Sequence, residues 1–336
     1  MAPPADFPVA YRAPWWLPGG NLQTVWPALF GRRGDGRPPV YRRLQWDTAD
    51  GDFIDVDFAV DGAAPAVPHP RPLLVLFHGL EGSSRSAYAE SFAAVAAQRG
   101  WAFAVPHFRG CGGRLNRAPR AYHSGDYQEI GWMLRRLRQA HGAGPMLAVG
   151  VSLGGNALLR WAEEAGGAAG AEVRAVAAVC SPLDLRAGAL AIGRGFNRQV
   201  YTRMFLASMK PKALAKLMQH PGLFDAVALR AARDLQAFDD VFTAPLHGFR
   251  DAEDYWRRCS AGPHLADIRL PALVLNARND PFVPVGSLPD APPGDWVDVW
   301  RTAQGGHVGF PRGALPPGEV NVMPRAVGAW LAAHVR

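Results

Sequence analysis

The 336-residue sequence predicts an α/β fold: a mostly parallel central sheet with helices on both faces and an inserted helical cap. Three observations lead there. Short apolar runs alternate with amphipathic segments of helical length from about residue 73 to residue 184, and again after residue 265. The apolar run 146–151 passes directly into Gly150-Val151-Ser152-Leu153-Gly154-Gly155, a strand-to-helix turn of the Gly-x-Ser-x-Gly type. Between 185 and 264 the alternation stops, and the chain reads as helical or irregular with no convincing buried strand.

Taken in order, residues 1–38 are rich in Pro, Gly and Trp. Proline and glycine interrupt regular structure there, while Trp15, Trp16 and Trp26 are costly to leave in water, so an ordered arm clamped onto the body is expected. Residues 41–46 and 53–60 read as an antiparallel hairpin at a sheet edge. In the second, Ile54, Val56, Phe58 and Val60 alternate with Asp55, Asp57 and Ala59, which predicts one apolar face turned inward. A Pro-rich loop at 64–72 follows. Leu73-Leu74-Val75-Leu76-Phe77 is continuously apolar, as a parallel strand buried on both faces must be. Further strands are expected at 102–106, 146–151, 173–179, 271–276 and 296–300, and helices at 87–99, 127–140, after Ser152 and at 324–334. The core therefore comprises 39–184 and 265–336. The 185–264 insertion, with Phe196, Tyr201, Met204, Phe205, Met209 and Met218, is expected to be a lid with an apolar inner face.

Composition excludes several classes. Apolar residues make up 49% and charged residues 19%, which suits a packed core rather than disorder. The net charge is +7, yet lysine occurs only at 210, 212 and 216. The scattered arginines form no basic run interleaved with aromatics, so nucleic acid is not an expected partner; peripheral contact with anionic lipid fits the charge. Cys111, Cys180 and Cys259 are odd in number and widely spaced, which speaks against disulfides or a zinc site and for a reducing compartment. No basic segment with an apolar run opens the chain and no run of about 18 apolar residues occurs, so a cytoplasmic protein without a membrane span is expected. No dinucleotide, P-loop or metal motif is found; no cofactor and no metal are expected.

The carboxyl ends of parallel strands converge on one sheet edge, where ligands bind. Three such ends carry Ser152, Asp280 and His307, in that chain order. An alcohol is a weak nucleophile at neutral pH, so Ser152 needs a base; His307, flanked by glycines that let it protrude, is the candidate, and Asp280 would hold its tautomer. Asp184 is the rival acid, though its place before Leu185 suits a helix cap. His78 and His123 are the rival bases, His78 more suited to bracing its own loop and His123 to a structural hydrogen bond. Backbone N–H groups of Leu153 and Leu80 are the candidates for an oxyanion hole.

Several motifs then converge on one family. His78-Gly79-Leu80-Glu81-Gly82-Ser83-Ser84, Phe108-Arg109-Gly110-Cys111, Tyr122-His123-Ser124-Gly125, the segment 150–156 around Ser152, Thr243-Ala244-Pro245-Leu246-His247-Gly248-Phe249 and Gly305-Gly306-His307-Val308-Gly309-Phe310 resemble the YheT-like α/β-hydrolases. The group includes bacterial predicted hydrolases, animal membrane-associated lipases and yeast enzymes that make and cleave medium-chain ethyl esters. The Leu22-Gln23-Thr24 arm is also similar. The resemblance implies an α/β-hydrolase fold and cleavage of short- to medium-chain carboxylic esters by Ser152, Asp280 and His307. Two alternatives stand beside it: transfer of the acyl group to an alcohol by the same residues, and a non-catalytic ligand-binding homologue.

Overall fold

The computed structural model describes residues 11–33, 37–60 and 71–335. Its strands are β1 (Tyr41–Asp47), β2 (Phe53–Ala59), β3 (Leu73–Phe77), β4 (Ala102–Pro106), β5 (Met146–Val151), β6 (Ala175–Val179), β7 (Ala272–Ala277) and β8 (Val297–Thr302). They form one eight-stranded sheet in the order β1-β2-β4-β3-β5-β6-β7-β8. β2 runs antiparallel to both β1 and β4, and every other neighbouring pair is parallel. The longer helices are α1 (Gly19–Phe30), α2 (Ala87–Gln98), α3 (Tyr127–His141), α4 (Leu153–Ala165), α5 (Leu185–Ile192), α6 (Arg203–Gln219), α7 (Ala252–Cys259) and α8 (Val322–Ala332).

Side-chain alternation along the central strands divides the core into two layers. Leu73, Val75 and Phe77 join Ile130 and Leu134 of α3 and Leu158 and Trp161 of α4 on one face. Leu74 and Leu76 join Phe92 of α2 and Val327 and Leu331 of α8 on the other. Each such side chain, taken fully from water, contributes about 1.5–3 kcal/mol, so the two layers hold β3 and β5 rigid where their carboxyl ends reach the sheet edge. Local signals agree with this packing. Asp126 caps α3 by accepting the Glu129 N–H, Arg138 and His141 occupy its last turn, and Gly142 at φ 79° ends it.

The structure departs from the sequence reading in four places. The arm is not irregular: residues 19–30 form α1, with Pro27 inside it. Proline there removes the N–H that would bond the Gln23 carbonyl, a defect tolerated because the helix is packed on the body. Trp16 and Trp26 meet at 5.6 Å and donate their indole N–H groups to Gly313 O and Pro317 O, but Trp15 stays 81% exposed. In β2 the acidic face is buried too. Asp57 accepts from Arg43, Ser84 and His107, and Asp55 from Arg114, so ion pairs satisfy a face that alternation assigned to solvent. Finally, Tyr201 is buried and Phe205 half-buried, whereas Phe196, Met204 and Met218 lie on the outside. Most of the Pro-rich loop expected at 64–72 lies outside the described residues.

Between β6 and β7 the chain forms helices joined by turns and no strand, where the sequence read as helical or irregular. Two adjoining devices tie the neighbouring loops down. Lys216 of α6 is buried and donates to Ala118 O at 2.9 Å and to Asn116 O; burial lowers its pKa to about 8. Arg109, after β4, is buried among Asp52 Oδ2 (2.6 Å), Glu129 Oε1 (2.6 Å) and Asp50 Oδ2 (2.9 Å). Asp52 also accepts from Asn116 and Arg117, and these bonds outweigh its burial and hold its pKa at about 2. Arg109→Met leaves Asp52 without its cation and Glu129 with only Arg120 at 3.9 Å, and is expected to destabilise the fold by about 3–5 kcal/mol in urea denaturation.

Candidate active site

Ser152 stands at the carboxyl end of β5, in the middle of the sheet. Its backbone is at φ 53°, ψ −120°, a conformation an L-residue adopts only where the surroundings impose it. What imposes it is the closeness of α4 to the strand. A Cβ placed on Gly150 would collide with the backbone of Gly154 and Gly155, and one on Gly154 with the carbonyl oxygens of Phe77 and His78. The turn holds the Ser152 hydroxyl out beyond the sheet edge, with the first turn of α4 directly behind it.

Asp280 lies three residues past β7 and His307 five past β8. The structure brings both to Ser152. His307 Nε2 is 2.9 Å from Ser152 Oγ, and His307 Nδ1 is 2.9 Å from Asp280 Oδ2. A carboxylate only accepts, so Nδ1 carries the proton toward Asp280 and Nε2 is left to accept from the serine hydroxyl. Asp280 is 7% exposed, and its other oxygen accepts from the Phe282 and Val283 N–H groups at 2.7 and 3.2 Å, which fixes the carboxylate plane. The Phe282 ring lies 4.3 Å from the imidazole.

The rival residues are occupied elsewhere. Asp184 caps α5, accepting the Ala187 N–H at 2.9 Å. His78 is fully buried: its Nε2 accepts from Phe108 N–H at 3.1 Å and its Nδ1 donates to Gly79 O at 2.8 Å. Burial and the neighbouring His107 push its pKa down to about 3. His123 Nδ1 accepts from the Gly125 N–H, and burial lowers its pKa to about 3 as well.

The loop after β3 passes close to Ser152, since a Cβ on Gly79 would stand 3.3 Å from Ser152 Cβ. Gly79 N–H is held by Tyr88 Oη and Glu81 N–H by Tyr122 Oη, both at 2.9 Å, which brackets Leu80 between two fixed amides. Leu153 opens α4, where N–H groups have no intrahelical acceptor.

Ser152 and His307 line a cavity of about 710 Å³, part of it open to solvent, with apolar walls that include Ile192, Phe205 and Phe282. A neighbouring cavity of about 600 Å³ shares Leu80, Leu153, Met209, Asp239 and Tyr255 with it and carries more charge, including Glu81 paired with Lys212 at 2.8 Å. Among the described residues, Cys180, Asp280 and His307 bring ligand atoms within 4.8 Å of one another. Burial and the Asp280 charge raise the Cys180 thiol well above its usual pKa, which opposes the thiolate a metal requires.

Sequence reasoning missed the contribution of the arm. α1 lies against the loop that carries His307, and Gln23 and Thr24 both bond to that loop. The available signal was a pair of polar residues, Gln23 and Thr24, set between the apolar Leu22 and Val25.

A nucleophile elbow on the middle strand, with an acid and a histidine at the ends of the following strands, defines an α/β hydrolase. A family model described as alpha/beta hydrolase fold matches residues 72–314, and the chain belongs to that family. Within it, the chain is 41% identical over 300 residues to the Escherichia coli (strain K12) protein named "Putative esterase YheT", covering 88% of this chain and 85% of that one. It is 28% identical over 289 residues to Phospholipase ABHD3 of Mus musculus, covering 83% and 69%. The Pyrococcus furiosus esterase Pf2001 superposes with a TM-score of 0.54 over 89% of this chain and 94% of that one, at 13% identity, and so shares the fold. Because backbone oxygens leave Gly154 no room for a side chain, Gly154→Ala is expected to lower stability by about 1–3 kcal/mol, read from the urea midpoint.

Proposed function

We propose that the protein is a serine esterase that cleaves short- to medium-chain carboxylic esters through an acyl-enzyme on Ser152. The observation that carries this reading is the unbroken hydrogen-bond chain Ser152–His307–Asp280, opening onto a largely apolar cavity of a size that suits small ligands. The esterase name of the 41% identical relative supports the same reading.

In this mechanism His307 Nε2 takes the proton from Ser152 Oγ as the oxygen attacks the ester carbonyl. Asp280 holds the imidazole in the tautomer with a free Nε2 and stabilises the imidazolium that forms. The carbonyl oxygen becomes an oxyanion that accepts from the Leu80 and Leu153 N–H groups, donors worth about 2.7–4 kcal/mol each in comparable sites. Collapse of the intermediate breaks the bond to the alkoxy oxygen, which leaves with the proton from His307. Water then attacks the acyl-enzyme, with His307 again as base and then as acid, and releases the carboxylic acid and Ser152.

In this reading residues 185–264 are the lid over the cavity, and 39–184 with 265–336 are the body. Ile192, Phe205 and Met209 supply apolar wall from the lid side. Among the described residues, no helix is long and apolar enough to cross a membrane; we assign the enzyme to the cytoplasm, with peripheral access to lipid. Transfer of the acyl group to an alcohol would use the same residues, and product analysis with a medium-chain thioester plus ethanol separates it from hydrolysis.

Ser152→Ala is expected to fold normally and to lose at least about 10³-fold in turnover of p-nitrophenyl butyrate. A wild-type rate in that variant would refute the assignment. A fluorophosphonate is expected to label Ser152, identified by peptide mass spectrometry. Across p-nitrophenyl esters from acetyl to palmitoyl, kcat/KM is expected to peak at short to medium chains; a maximum at palmitoyl would overturn the acyl preference.

A further inference from the structure

The loop that carries His307 is held in a conformation it would not adopt by itself. Gly305 and Gly306 have φ 149° and 62°, and they are followed by Val308 at 66° and Phe310 at 41°. Positive φ is a true outlier for a β-branched valine, and such strain persists only where the surroundings over-determine the backbone.

Here they do so amide by amide. Gly305 N–H donates to Gln23 Oε1 at 2.9 Å, and Gly306 N–H to Asn279 Oδ1 at 3.0 Å. His307 N–H donates to Thr24 Oγ1 at 2.8 Å, and Val308 N–H to Cys180 Sγ at 3.3 Å. Four consecutive amides thus meet four side chains, drawn from α1, from the end of β6 and from the turn that also carries Asp280.

The clamps are themselves fixed. Gln23 is fully buried, with Oε1 also accepting from Asn279 Nδ2 at 2.9 Å and Nε2 donating to Leu17 O at 2.8 Å. Thr24 Oγ1 spends its one hydrogen on Gly20 O at 2.7 Å, which turns its lone pairs toward His307 N–H. Contact with the arm is also close. A Cβ on Gly306 would stand 2.7 Å from Gly20 O, and one on Gly309 would overlap the Gln23 carbonyl.

We infer that Gln23, Thr24, Asn279 and Cys180 are positioning residues that set the His307 imidazole between Ser152 and Asp280, and that the arm is for this reason part of the catalytic machinery. The inference rests on the proposed role of His307. Gln23, Thr24 and Asn279 act through the loop backbone; Cys180 does so through the Val308 N–H and also lies against Asp280, its thiol within 4.8 Å of the Asp280 and His307 ligand atoms. A loop released from its clamps relaxes toward ordinary φ values and moves the imidazole, and misplacement on the scale of 1 Å costs about 10²-fold in rate.

The test compares Thr24→Val, which keeps the shape and removes the acceptor, with Thr24→Ser, which keeps the acceptor. Rates on p-nitrophenyl butyrate are counted per active site titrated to completion with a fluorophosphonate, so an unfolded fraction does not enter. Thr24→Val is expected to lose about 10- to 100-fold in kcat with KM nearly unchanged, and Thr24→Ser to recover most of it. Asn279→Ala, which leaves the side chains of the arm intact and removes the acceptor of the Gly306 N–H, is expected to show the same split between kcat and KM, and decides the matter should Thr24→Val not fold. Wild-type kcat per site in Thr24→Val, or a Thr24→Ser no better than Thr24→Val, overturns the inference. If Ser152→Ala is inactive while Thr24→Val is fully active, only this inference falls; an active Ser152→Ala removes the triad itself.

Discussion

The hydrogen bond between Ser152 Oγ and His307 Nε2 joins residues 155 positions apart in the chain, and everything proposed for this protein passes through it. It is not a local contact. It exists because β5, β6, β7 and β8 are parallel neighbours whose carboxyl ends share one edge, so that the residues following β5, β7 and β8 converge there. The rigidity of that edge comes from the two apolar layers that bury the central strands on both faces.

Convergence alone leaves the groups near one another; strain sets them to the angstrom. The structure keeps non-glycine residues at positive φ at both halves of the bond, Ser152 on one side and Val308 on the other, with Cys180 at φ 50° between them in the sheet order. Each side resists relaxation by different means. At Ser152 the means is steric, because Gly150 and Gly154 let helix and strand approach until no other backbone path fits. At His307 it is polar, because side chains from other segments capture successive backbone amides. A glycine-rich histidine loop without such captors would be free to sample other shapes, so flexibility that lets His307 protrude needs restraint from outside the loop.

The polar groups around the site divide in the same spirit. His123 lines a cavity and His78 lies beneath the neighbouring loop, yet burial keeps both neutral, and backbone groups engage both ring nitrogens of His78 and Nδ1 of His123. They shape loops. His307 differs in having one nitrogen on a carboxylate and the other on a hydroxyl, which is the arrangement that can take and return a proton.

Much of this was legible in the residues alone. Continuous apolar runs such as 73–77 announce strands buried on both faces, and Gly-x-Ser-x-Gly after such a run announces an elbow, because both are consequences of local sterics and periodicity. Ser152, Asp280 and His307 were singled out by their places after strands, and the structure brings their side chains within hydrogen-bond distance. What local chemistry could not supply was partnership across the chain. The burial of Asp55 and Asp57, the helix formed around Pro27, the outward Trp15 and the bonds of Gln23 and Thr24 to the histidine loop each depend on which segment packs against which. A side chain's type states which bonds it is able to make, and period states which face it occupies. Only the tertiary structure decides who stands opposite, because a buried polar group is paid back by a specific partner at hydrogen-bond distance, and that partner sits tens of residues away for Asp57 and hundreds for Gln23.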